Sequence, residues 1–316
     1  MADHRDSLSF GTRSALLIVI LLAVLLATNG SPVAAIEDGW LAEDTALNRA
    51  TVHVGTSGST CSGVLVASNL VLAARHCFRH EPPTPAPHDP RGGGFEDWQF
   101  PDRFYSLDHI YPNGVDVHVG LDRTNPLVTT TAREYSLPGN VDVALLKLAT
   151  AIPAGVARPV EVITDLDSYP GSGPIDIETL SFSVFGFGKT GVNEGFATQL
   201  QEGRSGSGEY PCPRQRNGWT QGDVHRICVA GSSGGVRNGD SGGPLYWDTD
   251  AARFLVGVFQ GLESERNGGR YVATFFRGGV GNDGSPRGDV GGWLDQHLTP
   301  FRVRNAAKTL FSDAWI

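Results

Sequence analysis

Apolar residues in this chain fall into short runs separated by glycine, proline and polar residues, a pattern of strands joined by turns and not of long amphipathic helices. The runs at 50–54, 63–67, 70–74, 115–119, 143–148, 182–187 and 254–259 each have the length of one strand, and they predict β-structure. One run is different. Positions 15–27 carry no charge, Arg13 precedes them, and the small residues Val33-Ala34-Ala35 follow. A membrane span needs about 20 apolar residues, so a signal peptide over 1–35 is expected and a stable membrane anchor is not. The remainder, 36–316, is long enough for one large all-β unit or for two smaller barrels that share a cleft.

Composition refines this picture. With 41 glycines and 19 prolines among 316 residues, turns are plentiful. The formal net charge is −9 and no long basic run occurs, so the clustered Lys and Arg that phosphate contacts require are missing and no nucleic-acid partner is expected. Four cysteines, Cys61, Cys77, Cys212 and Cys228, are an even number in a chain expected to carry a signal peptide, which favours disulfides over thiols. Zinc is the alternative, but no Cys-x-x-Cys pair is present, and three disulfide pairings stay open. The segment 80–101, with Glu81-Pro82-Pro83 and Gly92-Gly93-Gly94, reads as an exposed loop. Its His80, Glu81, His88 and Asp89 lack the ligand spacing of a metal loop, so neither metal nor cofactor is expected.

Candidate chemistry concentrates in Gly239-Asp240-Ser241-Gly242-Gly243-Pro244. Glycines around one hydroxyl permit positive φ and close approach of a substrate backbone, so the amides of Gly239 and Ser241 are suited to receive a developing oxyanion. The plain alternative is a Gly-Pro turn. Upstream, an apolar run leads into Ala74-Arg75-His76-Cys77, and Asp142 stands at the head of Val143-Ala144-Leu145-Leu146. A lone histidine or a turn aspartate can be purely structural, yet a carboxylate entering an apolar strand needs a partner, and an imidazole N–H is a natural one.

These segments together resemble the chymotrypsin/trypsin-like serine peptidases. Val71–Cys77 resembles the histidine segment of that family, with Arg75 a departure; Val141–Leu148 resembles its Asp-Ile-Ala-Leu-Leu segment; and the order His, Asp, Ser is the chymotrypsin order. Gly186-Phe187-Gly188-Lys189-Thr190 resembles Gly-Trp-Gly-x-Thr, 255–258 the strand after the serine, and 291–298 the terminal helix. The likeness spans about 36 to 298 and leaves 299–316 as an extension. It implies two antiparallel β-barrels with His76 and Asp142 on the first, Ser241 on the second, and a short C-terminal helix. It further implies that His76, Asp142 and Ser241 are catalytic, that Cys61 pairs with Cys77 and Cys212 with Cys228, and that a freed Ile36 ammonium inserts beside Asp240.

By the same resemblance Gly235, Val236, Gln260 and Leu262 line the primary specificity pocket. No carboxylate stands at Gly235, which implies an apolar residue before the scissile bond in place of Arg or Lys. The expected activity is therefore that of a secreted serine endopeptidase acting on protein or peptide through an acyl-enzyme. A catalytically silent binding protein on the same fold is the competing reading. An esterase with a nucleophile elbow fits poorly, because Gly-Gly follows Ser241 at once and the order Ser, Asp, His is not met.

Overall fold

The computed structural model describes residues 36, 39–56, 59–78, 104–108, 111–138, 141–164, 180–190, 195–209, 226–233, 236–249, 252–264, 270–275 and 290–300. In chain order the strands are β1 (Trp40–Leu41), β2 (Thr51–Thr56), β3 (Ser59–Ala67), β4 (Leu70–Ala73), β5 (Tyr105–Ser106), β6 (Val115–Val119), β7 (Val128–Ser136) and β8 (Ala144–Leu148). They continue with β9 (Glu161–Val162), β10 (Phe182–Gly186), β11 (Gln201–Glu209), β12 (Arg226–Ser233), β13 (Pro244–Asp248), β14 (Arg253–Ser264) and β15 (Arg270–Phe275). Helix α1 spans 290–300.

The first sheet runs β5-β7-β6-β2-β3-β4-β8, and pairing of β7 with β8 closes six of its strands into a barrel. The second runs β1-β11-β10-β13-β14-β15-β12, with the pairing of β11 to β12 returning it on itself and β9 lying parallel on β14. Every neighbouring pair except β9–β14 is antiparallel, as short turn-linked strands allow. This is the two-barrel, all-β architecture with one short C-terminal helix that the sequence led us to expect.

Alternation places one face of each strand inside. Along β6, Val115, Val117 and Val119 are buried while Asp116 is exposed. Strand β4 and most of β3 are buried throughout, because their second face lies under other parts of the protein. The first core continues into α1 through Val290, Trp293, Leu294 and Leu298, the spacing of one helix face, whereas Ile36, Phe182, Val184, Ile227, Val236, Leu245 and Phe259 belong to a second core.

Candidate active site

Register accounts for the meeting of His76 and Asp142. Strands β4 and β8 are antiparallel neighbours with Ala73 opposite Ala144. The chain leaving β4 and the chain entering β8 therefore emerge at the same end of the barrel. His76 lies in a 3-10 turn, Arg75–Phe78, opened by the bond from Cys77 N–H to Ala74 O at 3.2 Å. The Asp142 carboxylate accepts the His76 backbone N–H through Oδ1 at 2.9 Å and pairs with ring Nδ1 through Oδ2 at 2.8 Å. Held at two points, the imidazole has Nδ1–H directed at the carboxylate and its Nε2 free to act as a base. The disulfide Cys61–Cys77 anchors the same turn to β3.

The second lobe contributes the turn that leads into β13. Gly239 and Gly242 have φ of +101° and +82°. A Cβ on Gly242 would run into the Ser62 carbonyl and stand 2.7 Å from the Ala74 amide nitrogen, so the turn can approach the first barrel only as glycine. Ser62 N–H donates to Ser241 O at 2.9 Å, and Gly242 N–H to Phe259 O at 2.8 Å. The N–H groups of Gly239 and Ser241 have no acceptor among the described residues. His76, Gly239 and Ser241 line one open cleft of about 500 Å³, whose other walls include Thr56, Thr60, Phe196 and Asn238. No hydrogen bond joins the Ser241 hydroxyl to His76 among the described residues. A catalytic contact of this kind is often long without substrate and tightens when one binds.

Beneath the turn, Asp240 is fully buried. Its Oδ1 accepts Gly188 N–H at 2.7 Å and its Oδ2 accepts Arg237 N–H at 2.8 Å. Burial outweighs these two bonds and pushes the carboxyl up to about 7. Ile36 is also fully buried, packed in the second core with Val236 and Ile227. In the uncut chain its nitrogen is an amide.

The expected specificity positions are only partly described. Gly235 lies outside the described residues; Val236 is buried in the second core; Gln260 is half-buried on β14; and Leu262 stands opposite Tyr271 in the β14–β15 register. Cys228 is disulfide-bonded, and Cys212, which the resemblance pairs with it, lies outside the described residues, as does the loop 80–101. Phe196 and Ser62 are among the site residues that went unread in the sequence. Phe196 walls the cleft and leaves no room for a Cβ on Gly239, which would stand 2.8 Å from its ring. Ser62 is fully buried and bonded to the turn that carries Ser241. Neither has a motif, because each side chain meets the turn from a position distant in sequence.

Comparison with known proteins gives a consistent result. Residues 110–277, more than half of the chain, match the family model described as Trypsin. The chain is 26% identical over 197 residues to chymotrypsin-like elastase family member 1 of Homo sapiens, across 61% of this chain and 66% of that protein. It is 27% identical over 188 residues to chymotrypsin-C of Bos taurus, across 59% and 61%. The chain thus spans a little under two thirds of the length of these relatives. The family match includes Asp142 and Ser241 and begins after His76, which the structure pairs with Asp142 at 2.8 Å. Two-barrel topology and a match over more than half its length agree: this chain belongs to the trypsin family.

Proposed function

We propose that this protein is a secreted serine endopeptidase that cleaves peptide bonds through an acyl-enzyme on Ser241. The observation that carries the reading is the double grip of Asp142 on His76 at the edge of the cleft that Ser241 also lines. Ser241 Oγ attacks the scissile carbonyl while His76 Nε2 takes its proton. Asp142 holds the tautomer and stabilises the imidazolium, and the Gly239 and Ser241 amides receive the oxyanion. Collapse of the tetrahedral intermediate expels the leaving amine with the proton from His76, and water reverses the sequence to release the acid.

In this reading 1–35 is a leader, 36–298 the peptidase unit and 299–316 an appended tail, and Cys212 bonds Cys228. Cutting between Ala35 and Ile36 frees an ammonium that reaches Asp240. In support, Ile36 and Asp240 are both buried, and among the described residues the carboxylate has two backbone amides for partners. The absence of a carboxylate at Gly235, with Val236, Gln260 and Leu262 nearby in sequence, supports an apolar residue before the scissile bond.

Labelling with a fluorophosphonate tests the reading. The processed protein is expected to be labelled and to hydrolyse peptides, with both activities lost in Ser241→Ala. An unlabelled, properly processed protein would assign the chain to the silent binding alternative. A positional peptide library on the same preparation reads the preference, and a dominant Arg or Lys before the cut would overturn the apolar assignment.

A further inference from the structure

One buried hydroxyl outside the proposed catalytic group joins both lobes to the nucleophile turn. Ser62 follows Cys61 on β3 and is fully buried. Its Oγ accepts Phe187 N–H at 3.0 Å and lies 3.0 Å from Gly239 O. A backbone N–H can only donate and a carbonyl can only accept, so the single hydroxyl proton is committed to Gly239 O. The Ser62 backbone N–H meanwhile donates to Ser241 O at 2.9 Å. One residue of the first barrel therefore grips both ends of the three-residue segment that presents the oxyanion amides.

We infer that Ser62 is a positioning residue for the oxyanion hole, holding the Gly239–Ser241 backbone in the orientation in which both free amides face the cleft. The inference rests on the acyl-enzyme reading above. Gly239, at φ +101°, has no side chain to restrict its backbone. Its peptide planes must be fixed from outside. Asn238 O accepts Lys189 N–H at 2.8 Å, fixing the plane that carries the Gly239 N–H, and Asp240 O accepts Gly243 N–H at 2.8 Å, fixing the plane that carries the Ser241 N–H. The plane between them has Asp240 N–H bonded to Arg237 O at 3.0 Å on one side and the Ser62 hydroxyl on Gly239 O on the other. Of these restraints, the Ser62 hydroxyl is the one supplied by a side chain, so a single substitution removes it.

The test uses processed protein whose active sites are counted by the end point of fluorophosphonate titration. Loss of one direct oxyanion donor typically costs about 10²–10³ in turnover. Ser62→Ala, one bond further back, is expected to lower kcat per titrated site by about tenfold to a hundredfold on a peptide anilide, with KM changed less than twofold. Affinity for a peptide boronic acid, which mimics the tetrahedral intermediate, should fall by the same factor as kcat, while affinity for the matching product acid should not. Ser62→Cys, which puts a slightly larger and weaker donor in place of the hydroxyl, is the second variant and should shift in the same direction. An unchanged kcat per site, or a rise in KM with kcat intact, would overturn the positioning role while leaving the peptidase reading in place. A wild-type protein that neither titrates nor hydrolyses would remove both.

Discussion

Asp240 is the residue at which burial and charge conflict most directly. It is fully inside the protein, its carboxylate accepts two backbone amides among the described residues, and desolvation raises the carboxyl to about 7. Against an unfolded value of about 3.9, the folded uncut chain keeps a proton that the unfolded chain has released between those two pH values. Stability in this window therefore falls as pH rises. In an uncut Ser241→Ala protein, denaturant unfolding should show stability fully present below about pH 4 and declining as the pH passes through 7. The total is on the order of 4 kcal/mol, at about 1.4 kcal/mol per pKa unit. After cleavage at Ile36, an ammonium partner would stabilise the carboxylate and remove the decline. A pH-independent stability for the uncut form, or the same slope before and after cleavage, would show that Asp240 is not waiting for a cation. The space it occupies is equally committed: a Cβ on Gly188 would come 2.5 Å from its carboxylate, so the glycine read as part of a local motif is in fact the wall of this pocket.

Helix α1 turns Trp293 and His297 toward Ser136 at the end of β7. Trp293 Nε1–H donates to Ser136 Oγ at 3.2 Å, the same hydroxyl lies 3.1 Å from His297 Nε2, and Phe104 meets His297 edge-on at 5.1 Å between ring centres. Trp293→Ala empties a site only 2% exposed and removes one partner of a buried hydroxyl, so a loss of about 3–5 kcal/mol is expected. The check is the unfolding midpoint; a change below about 1 kcal/mol would mean that the helix is not part of the first core. Legibility at this scale followed polarity. The strand expected at 115–119 is β6 residue for residue, and the helix expected at 291–298 extends by one residue before and two after. By contrast β7, with the sequence Val-Thr-Thr-Thr-Ala-Arg-Glu-Tyr-Ser, went unread because the residues it buries, Thr130, Ala132 and Ser136, are polar or small, and β11 because Gly and Ser dominate its second half. Strand β14 runs to Ser264, beyond the expected 259, because β15 pairs along that length. The site shows the same division. The residue types at 76, 142 and 241 were visible in local motifs, whereas the closeness of His76 to Asp142 follows from the Ala73–Ala144 register, and the roles of Ser62 and Phe196 arise from contacts that no short segment encodes.

For the molecule as a whole, the two sheets must be joined firmly enough that His76, carried by one, keeps its place beside Ser241, carried by the other. Arg253 at the start of β14 is one such joint. Its Nη1 donates to Asn48 Oδ1 at 2.9 Å, just ahead of β2; its Nε donates to Asp248 Oδ1 at 2.6 Å; and its Nη2 lies 3.6 Å from Glu202 Oε1 on β11. The guanidinium also stands 4.8 Å and 5.4 Å from the ring centres of Phe185 and Tyr246. Glu202 is the costly member, since burial raises its carboxyl and the Arg253 charge is the largest influence drawing it back. Removing only the cation strands that carboxylate, which in buried pairs typically costs about 3–5 kcal/mol, whereas removing both charges does not. Arg253→Ala should therefore destabilise the Ser241→Ala background by roughly that amount. Arg253→Met combined with Glu202→Gln should recover more than half of the loss, because the buried Glu202 charge is gone and the carboxylate still without its cation, Asp248, is partly exposed to water. Arg253→Lys should fall between them, keeping the charge but losing the planar fork that reaches Asn48 and Asp248 together. If the double variant proved as unstable as Arg253→Ala, the joint would depend on guanidinium packing against Phe185 and Tyr246 and not on its ion pairs. A single cooperative transition in the wild type that separates into two in Arg253→Ala would locate the lost free energy between the sheets, where the alignment of the cleft is set.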